Sequence, residues 1–463
     1  MKSSFQSLCA DTRGLRTRRE FLQRGCAGFG GLALSALMAD AAQAATGFTS
    51  PLAPKEPHFK ARAKRVIFLF MEGGPTHIDT FDWKPELAKS GARGGAKGRL
   101  LAPVFPFKPA GQSGLMLADI FPELAKHGDD LCLLNSLSTN TPGHQQAIIS
   151  LHTGNERFVR PSMGAWTIYG LGTMSQELPG FVTVNPISDQ GGAQNYGSAF
   201  LPATFQGTPI SSTGGGVPNL YNRHLTPRDQ RRQVDFIQRL NGELRVQHPA
   251  NPDFEGAVQA LELAFKMQTS VPGVLSIDSE SAATLGRYGI GGGRADRFGR
   301  QCLLARRMAE RGVRFIQLTH RGWDQHNNLR ERLRDHAADI DRPIAALLAD
   351  LKERDMLKDT LVIWGGEFGR KPNDDKGDGN GRGHNAKGYT MWLAGGGVRG
   401  GMRYGATDDT GREAVVNKMS MPDFHATILH LLGLDHERLT YNYAGRDFRL
   451  TDVSGAVAKD ILA

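Results

Sequence analysis

The chain has 463 residues, and 56 Lys and Arg against 47 Asp and Glu give a formal charge of +9. Such a length can bury a large core, as one elaborated domain or as two. The basic balance is mild and no basic run is dense enough for a nucleic-acid ligand, whereas an anionic substrate fits it.

The chain opens with an export signal. Arg18 and Arg19 precede a Gly- and Ala-rich stretch from Gly25 to Ala39, and Ala42-Gln43-Ala44 supplies a small-residue cleavage site. That order predicts a Tat signal peptide over residues 1–44, with the Tat machinery as a partner and a periplasmic or extracellular destination. The apolar stretch is too short to span a bilayer, and no later run approaches that length. Without the signal the formal charge falls to +6. Residues 45–62, rich in Pro and Lys, read as a linker to a domain over 63–454.

Within the domain, short apolar runs alternate with helical patterns. Strands are expected at Val66 to Phe70, Leu131 to Leu134, Val313 to Leu318, Thr360 to Trp364 and Tyr389 to Ala394. Helices are expected at Ala118 to His127, Gln301 to Arg311 and Leu329 to Arg354. In the last, Leu333, Ala337, Ile340, Ile344, Leu347 and Leu351 share one face, while Pro343 predicts a kink or a break. Alternating strands and helices imply a mostly parallel sheet with helices on both faces, and ligands at the carboxyl ends of its strands. Residues 175–300 carry Gly-, Gln- and Pro-rich stretches and a helical portion from Pro227 to Met267. They read as an inserted cap over those strand ends. The glycines from Gly395 to Gly401 lack a following Lys-Ser/Thr and read as a turn between strands.

Four segments bring Asp, Glu or His to the ends of apolar runs. They hold Glu72, His77 and Asp79; Asp324 and His326; Glu367 and Arg370; and His384. Such groups are costly to gather in an interior unless a cation compensates them, so their placement predicts a metal-assisted site. A polar loop at 135–143 runs into a short helix from His144, whose free N–H groups favour an anion. Singly, each residue has a plainer reading as a helix cap or a loop residue. Cys132 and Cys302, left after signal removal, are either one disulfide or two buried thiols.

The motifs Gly73 to Asp82, Gly322-Trp323-Asp324, Glu367 to Arg370, Gly381 to His384 and Tyr441 to Arg446 resemble those of a bacterial family of unknown function. That family is placed in the alkaline phosphatase and sulfatase superfamily. The resemblance implies an alkaline-phosphatase-like three-layer α/β sandwich. It also implies metal ligands at Glu72, Asp79, Asp324, His326, Glu367 and His384, to which the residue pattern adds His77; such oxygen and nitrogen donors suit one or two Zn, Mn, Mg or Ca ions. The superfamily's nucleophile position, upstream of Thr153-Gly154, matches His144. One expected His ligand is replaced by Phe368, and no Cys/Ser-x-Pro-x-Arg motif for formylglycine is present. The candidate attacking group is then His144, a hydroxyl of Thr76, Thr139 or Thr141, or a metal-bound water, with Arg370 steadying the anion.

The expected function is an exported metal-dependent hydrolase of a small anionic ester or of a sulfated or phosphorylated glycan. The alternative is a non-catalytic secreted protein on the same fold that binds a polysaccharide or protein partner.

Overall fold

The computed structural model describes residues 50–89, 99–212, 216–217, 220–222, 224–247, 252–377 and 380–463. The export signal expected over 1–44 lies outside the described residues.

Strands are numbered in chain order. The central strands are β1 (Arg65–Met71), β4 (Leu131–Leu137), β5 (Phe181–Val184), β6 (Thr208–Ile210), β7 (Phe315–His320), β8 (Thr360–Gly365), β11 (Tyr389–Ala394) and β12 (Met402–Tyr404). Among the described residues they form one sheet in the order β12-β4-β11-β8-β1-β7-β5-β6. All neighbours pair parallel except β11, which runs antiparallel to both β4 and β8. Four two-stranded pairs lie outside it: β2 (Phe107–Ala110) with β3 (Leu115–Ala118), β9 (Gly369–Asp374) with β10 (Arg382–Asn385), β13 (Ala406–Thr407) with β14 (Ala414–Val416), and β15 (Tyr441–Tyr443) with β16 (Arg446–Phe448).

β1 shows why the sheet is buried on both faces. Val66, Phe68 and Phe70 enter one core, and Ile67, Leu69 and Met71 enter the other, all fully buried. At about 1.5–3 kcal/mol for each such side chain, this strand alone contributes on the order of 10 kcal/mol of transfer free energy. Helices α1 (His144–Thr153), α2 (Met163–Leu171) and α7 (Met421–Leu431) cover the first face. Helices α5 (Asp296–Glu310) and α6 (Leu329–Glu353) cover the second. The expected α/β sandwich, mostly parallel with helices on both faces, is what the chain forms. Helix α7 starts where Ser420 and Asp423 form a reciprocal capping box, Ser420 Oγ accepting from Asp423 N and Asp423 Oδ2 accepting from Ser420 N at 2.9 Å.

Several expectations are corrected. Ala118 to His127 is not a helix: β3 ends at Ala118 and 3-10 turns follow over Leu124–Asp130. Pro122 disfavours helical backbone at Phe121, which turns back on Ala118 instead. Residues 175–300 are not wholly a cap, because β5 and β6 extend the central sheet. Its helical portion divides into α3 (Pro227–Gln247) and α4 (Pro252–Leu275). Helix α6 continues through Pro343 instead of breaking there. The fold also runs past residue 454, with Ile461 buried and its carbonyl accepting from Arg399 N at 2.8 Å. Cys132 and Cys302 are free thiols in the two opposite cores, so no disulfide joins them.

Candidate metal centre

The site assembles at the carboxyl ends of β1, β7 and β8, where the chain leaves the sheet in glycine-rich turns. Gly73, at φ +117°, lies so close to the next loop that a β-carbon there would stand 2.5 Å from Asp324 N. At Gly381 a β-carbon would meet His326 O at 2.0 Å. Only glycine permits these approaches, and through them the segments at 72–79, 322–326 and 381–384 come into contact.

Three imidazoles converge on one carboxylate oxygen. Asp324 Oδ1 lies 3.3 Å from His144 Nε2, 3.3 Å from His384 Nε2 and 3.0 Å from His326 Nε2. His326 Nε2 and His384 Nε2 are themselves 2.8 Å apart. Each ring is anchored at its other nitrogen. His144 Nδ1 donates to Glu367 Oε1 at 2.6 Å, His326 Nδ1 to Asp375 Oδ2 at 2.8 Å and His384 Nδ1 to the Pro142 carbonyl at 2.7 Å. A neutral imidazole with its proton on Nδ1 turns a lone pair outward at Nε2. In that neutral form three lone pairs and a carboxylate face one point, a repulsive arrangement that a metal ion or a proton relieves.

The donor set fits a divalent metal. Ligand atoms of His144, Asp324 and His384 all lie within 4.8 Å of one another. Tetrahedral ligation at about 2.0–2.1 Å per bond sets neighbouring donors about 3.3–3.4 Å apart, which the two 3.3 Å edges match. His144 Nε2 is buried and has no hydrogen-bond partner, since its contact with Asp324 is off-angle. Glu367 is not a ligand in this arrangement but stands behind one: it orients His144 and accepts from Gly73 N at 3.1 and 3.3 Å. A cation must share Asp324 with Arg370, whose Nη2 donates to the same oxygen at 2.6 Å.

Without an ion, a proton takes the cation's place. Burial opposes charge on His144, but the neighbouring Asp324 and Glu367 carboxylates outweigh it and raise its pKa to about 9, so a metal would displace a proton from His144. Burial likewise opposes ionised Asp324, yet His144, His384 and Arg370 hold its carboxyl far below the usual carboxylate range. Burial lowers the pKa of His326. Glu72 is pushed up by burial and then by the charge of Glu367; its Oε2 accepts from Gly322 N at 3.3 Å. Glu72 thus lies beside the cluster, against its outer carboxylate.

Four residues expected at the site are engaged elsewhere. Asp79 is fully buried in a two-pronged pair with Arg382, Nε to Oδ2 at 2.7 Å and Nη2 to Oδ1 at 3.0 Å, and also accepts from Val104 N at 2.9 Å. Both its oxygens are consumed, so it does not join the metal cluster. His77 Nε2 donates to Gly411 O at 2.7 Å, and burial lowers its pKa. Its Nδ1 accepts from Arg370 N at 3.4 Å, leaving no nitrogen for a metal. The Thr76 hydroxyl is buried and donates to Asp79 Oδ2 at 2.5 Å, which makes it a poor nucleophile. Arg370 is fully buried and clasps the Gly74, Gly73, Trp323 and Arg382 carbonyls in addition to Asp324. It locks the loops together instead of waiting for an anion.

Asp375 and the Pro142 carbonyl were not anticipated. Asp375 sits in the polar turn between β9 and β10, midway between Arg370 and His384, and that position was the available signal.

Comparison with solved structures finds likenesses at low identity. The PsFucS1 sulfatase from Pseudoalteromonas sp. is 16% identical over 81% of this chain and 69% of that one, with a TM-score of 0.35. The C-terminal periplasmic domain of EcEptC from Escherichia coli, in complex with Zn, is 11% identical over 88% and 99%, TM-score 0.37. The alkaline phosphatase of the Antarctic bacterium TAB5 is 12% identical over 82% and 99%, TM-score 0.31. No curated protein matches the chain. Residues 63–462 match the family model described as protein of unknown function DUF1501, and the chain belongs to that family.

Proposed function

We propose that this protein is a metal-dependent hydrolase of phosphate or sulfate esters that works outside the cytoplasm after Tat export. The observation that carries the reading is the common orientation of His144, His326 and His384, each anchored through Nδ1 and each turning Nε2 toward Asp324 Oδ1. His144, Asp324 and His384 would hold the ion, with His326 at its flank. A divalent cation held there supplies Lewis-acid polarisation of the ester and a lowered pKa for an attacking water. Glu367, Asp375 and the Pro142 carbonyl fix the three ring orientations, and Arg370 holds the loops that carry them. Glu72, its carboxyl pushed up by burial and by the charge of Glu367, is the candidate acid toward a leaving group. No described helix is long and apolar enough to cross a membrane.

A second reading, a binding protein that has lost turnover, draws support from the commitment of the Thr76 hydroxyl and the Arg370 guanidinium to internal bonds. Metal content of the natively exported protein, followed by a panel of phosphate and sulfate esters, separates the two. The hydrolase reading expects bound metal, turnover abolished in Asp324→Ala, and metal affinity about 10–100-fold weaker in Glu367→Gln. Metal without turnover of any ester favours the binding protein. Protein that neither carries nor takes up Zn, Mn, Mg or Ca sinks the metal centre itself.

A further inference from the structure

Phe105 lies under two guanidiniums. Arg330 Cζ stands 5.0 Å and Arg334 Cζ 5.9 Å from its ring centroid. The two arginines sit one turn apart on α6, so two like charges share one ring. Both are exposed, whereas Phe105 is buried. Neither arginine makes an ion pair among the described residues, and neither does Glu331 between them. Covering an apolar ring with arginine stems accounts for the stacking. It leaves the missing carboxylates unexplained, since Arg294, Arg300, Arg306 and Arg354, on or against α5 and α6, each have one.

A third cation stands beside the pair. Lys371, exposed on β9, also lacks an ion pair among the described residues. The Arg382 guanidinium fixes its place, donating to the Lys371 carbonyl at 3.4 Å and to the Ala102 carbonyl, shortly before Phe105, at 3.1 Å. This strip of charge adjoins the metal centre. Lys371 follows Arg370, and Arg330 follows His326 so closely that the intervening backbone spans about 14 Å at most. Leu329 N, opening α6, donates to Asn380 O at 3.0 Å, in the turn that leads to Gly381 and His384.

We propose that Arg330, Arg334 and Lys371 form a docking surface for a sulfated glycan chain whose reacting ester lies at the metal centre. Guanidiniums stacked on a ring keep their forks free for a sulfate's oxygens, and their weak hydration lowers the cost of shedding water. A sulfate lying between the two arginines also relieves their mutual repulsion. The substrate is then a polymer bearing several anionic groups and not a small lone ester. No dense basic run accompanies the three cations, which speaks against nucleic acid. The position of the ester rests on the hydrolase reading, whereas binding at the cations does not.

The test is calorimetric titration of the full exported protein with a κ-carrageenan hexasaccharide, in chelator so that no metal-dependent turnover intervenes. A neutral agarose-derived hexasaccharide and a thymidine hexanucleotide are the comparison ligands. The sulfated chain is expected to bind at least about tenfold more tightly than either, and Arg330→Gln/Arg334→Gln to weaken it by at least about tenfold. Glutamine keeps part of each stem over Phe105. Arg297→Gln/Arg311→Gln removes the same charge from exposed positions at the two ends of α5 and is expected to leave the affinity unchanged. The proposal is overturned if the sulfated chain does not bind, if either comparison ligand binds as tightly, or if the two double variants affect binding alike. Binding of the sulfated chain by a protein that turns over no ester keeps this surface and removes the hydrolase. Turnover of small esters without such binding keeps the hydrolase and removes this surface.

Discussion

At the scale of single residues, the same side-chain types do opposite jobs a few ångströms apart. Asp324 gathers three imidazoles, whereas Asp79 has both oxygens consumed by Arg382, Thr76 and Val104. The two are therefore separable by mutation. Asp79→Ala leaves Arg382 buried and unpaired and is expected to cost about 3–5 kcal/mol of stability in urea titration while bound metal stays stoichiometric. Asp324→Ala is expected to lose the metal, and it also leaves the buried Arg370 without its carboxylate. Legibility in the sequence divides along the same line. His144, Asp324, His326 and His384 stand out as donors beside apolar runs. Nothing in their spacing tells Asp79 from Asp324, because what separates them is an arginine about 300 residues away.

Two further histidines set an acid limit on stability. His152 and His425 are fully buried, and burial lowers both pKa values to about 4. Each spends one nitrogen on a carbonyl, Ile148 O and Leu151 O respectively, both at 2.8 Å. In the unfolded chain both take up protons near pH 6.5, so their contribution is complete above that pH and is lost as the pH falls toward 4. Between pH 6.5 and 5 the pair removes about 3 kcal/mol. Asp341 acts in the opposite sense. Burial raises its carboxyl to about 6, so it makes stability fall by about 1 kcal/mol as the pH rises through that interval. The acid loss between pH 6.5 and pH 5, read from urea midpoints, is expected to be about 3 kcal/mol smaller in His152→Gln/His425→Gln than in the parent. An equal slope in the double variant would remove these imidazoles as its cause.

At the scale of elements, legibility follows burial. Continuous apolar runs such as Tyr389 to Ala394 read as strands because both faces are buried, and that strand has the expected bounds. β5 and β6 escape because they span only four and three residues and sit in Gly- and Pro-rich sequence. The turns that join strand to site leave a different trace. Gly381 occupies a place where a β-carbon would overlap the His326 carbonyl, so Gly381→Ala must push apart the segments carrying His326 and His384. This variant is expected to fold, with central strands unchanged by amide exchange, and to bind metal at least about tenfold more weakly. Unaltered affinity would mean that the close approach is not what holds the ligands together.

At the scale of the whole molecule, the sandwich architecture follows from the alternation of apolar runs with amphipathic helices. The position of the site follows from the carboxyl ends of its parallel strands. Its division into two cores was not readable, since that depends on which residues of each strand point which way once the register is set. Cys132 and Cys302 report that division directly, one in each core, each fully buried. Burial pushes the Cys132 thiol up to about 12 and Cys302 well above its ordinary value, so neither reacts while covered. Each thiol is therefore a built-in clock for the opening of its own layer. Labelling with a thiol reagent in mild denaturant should modify both at one rate if the layers part together. Two rates would reveal halves that breathe independently, and which cysteine leads would identify the looser one.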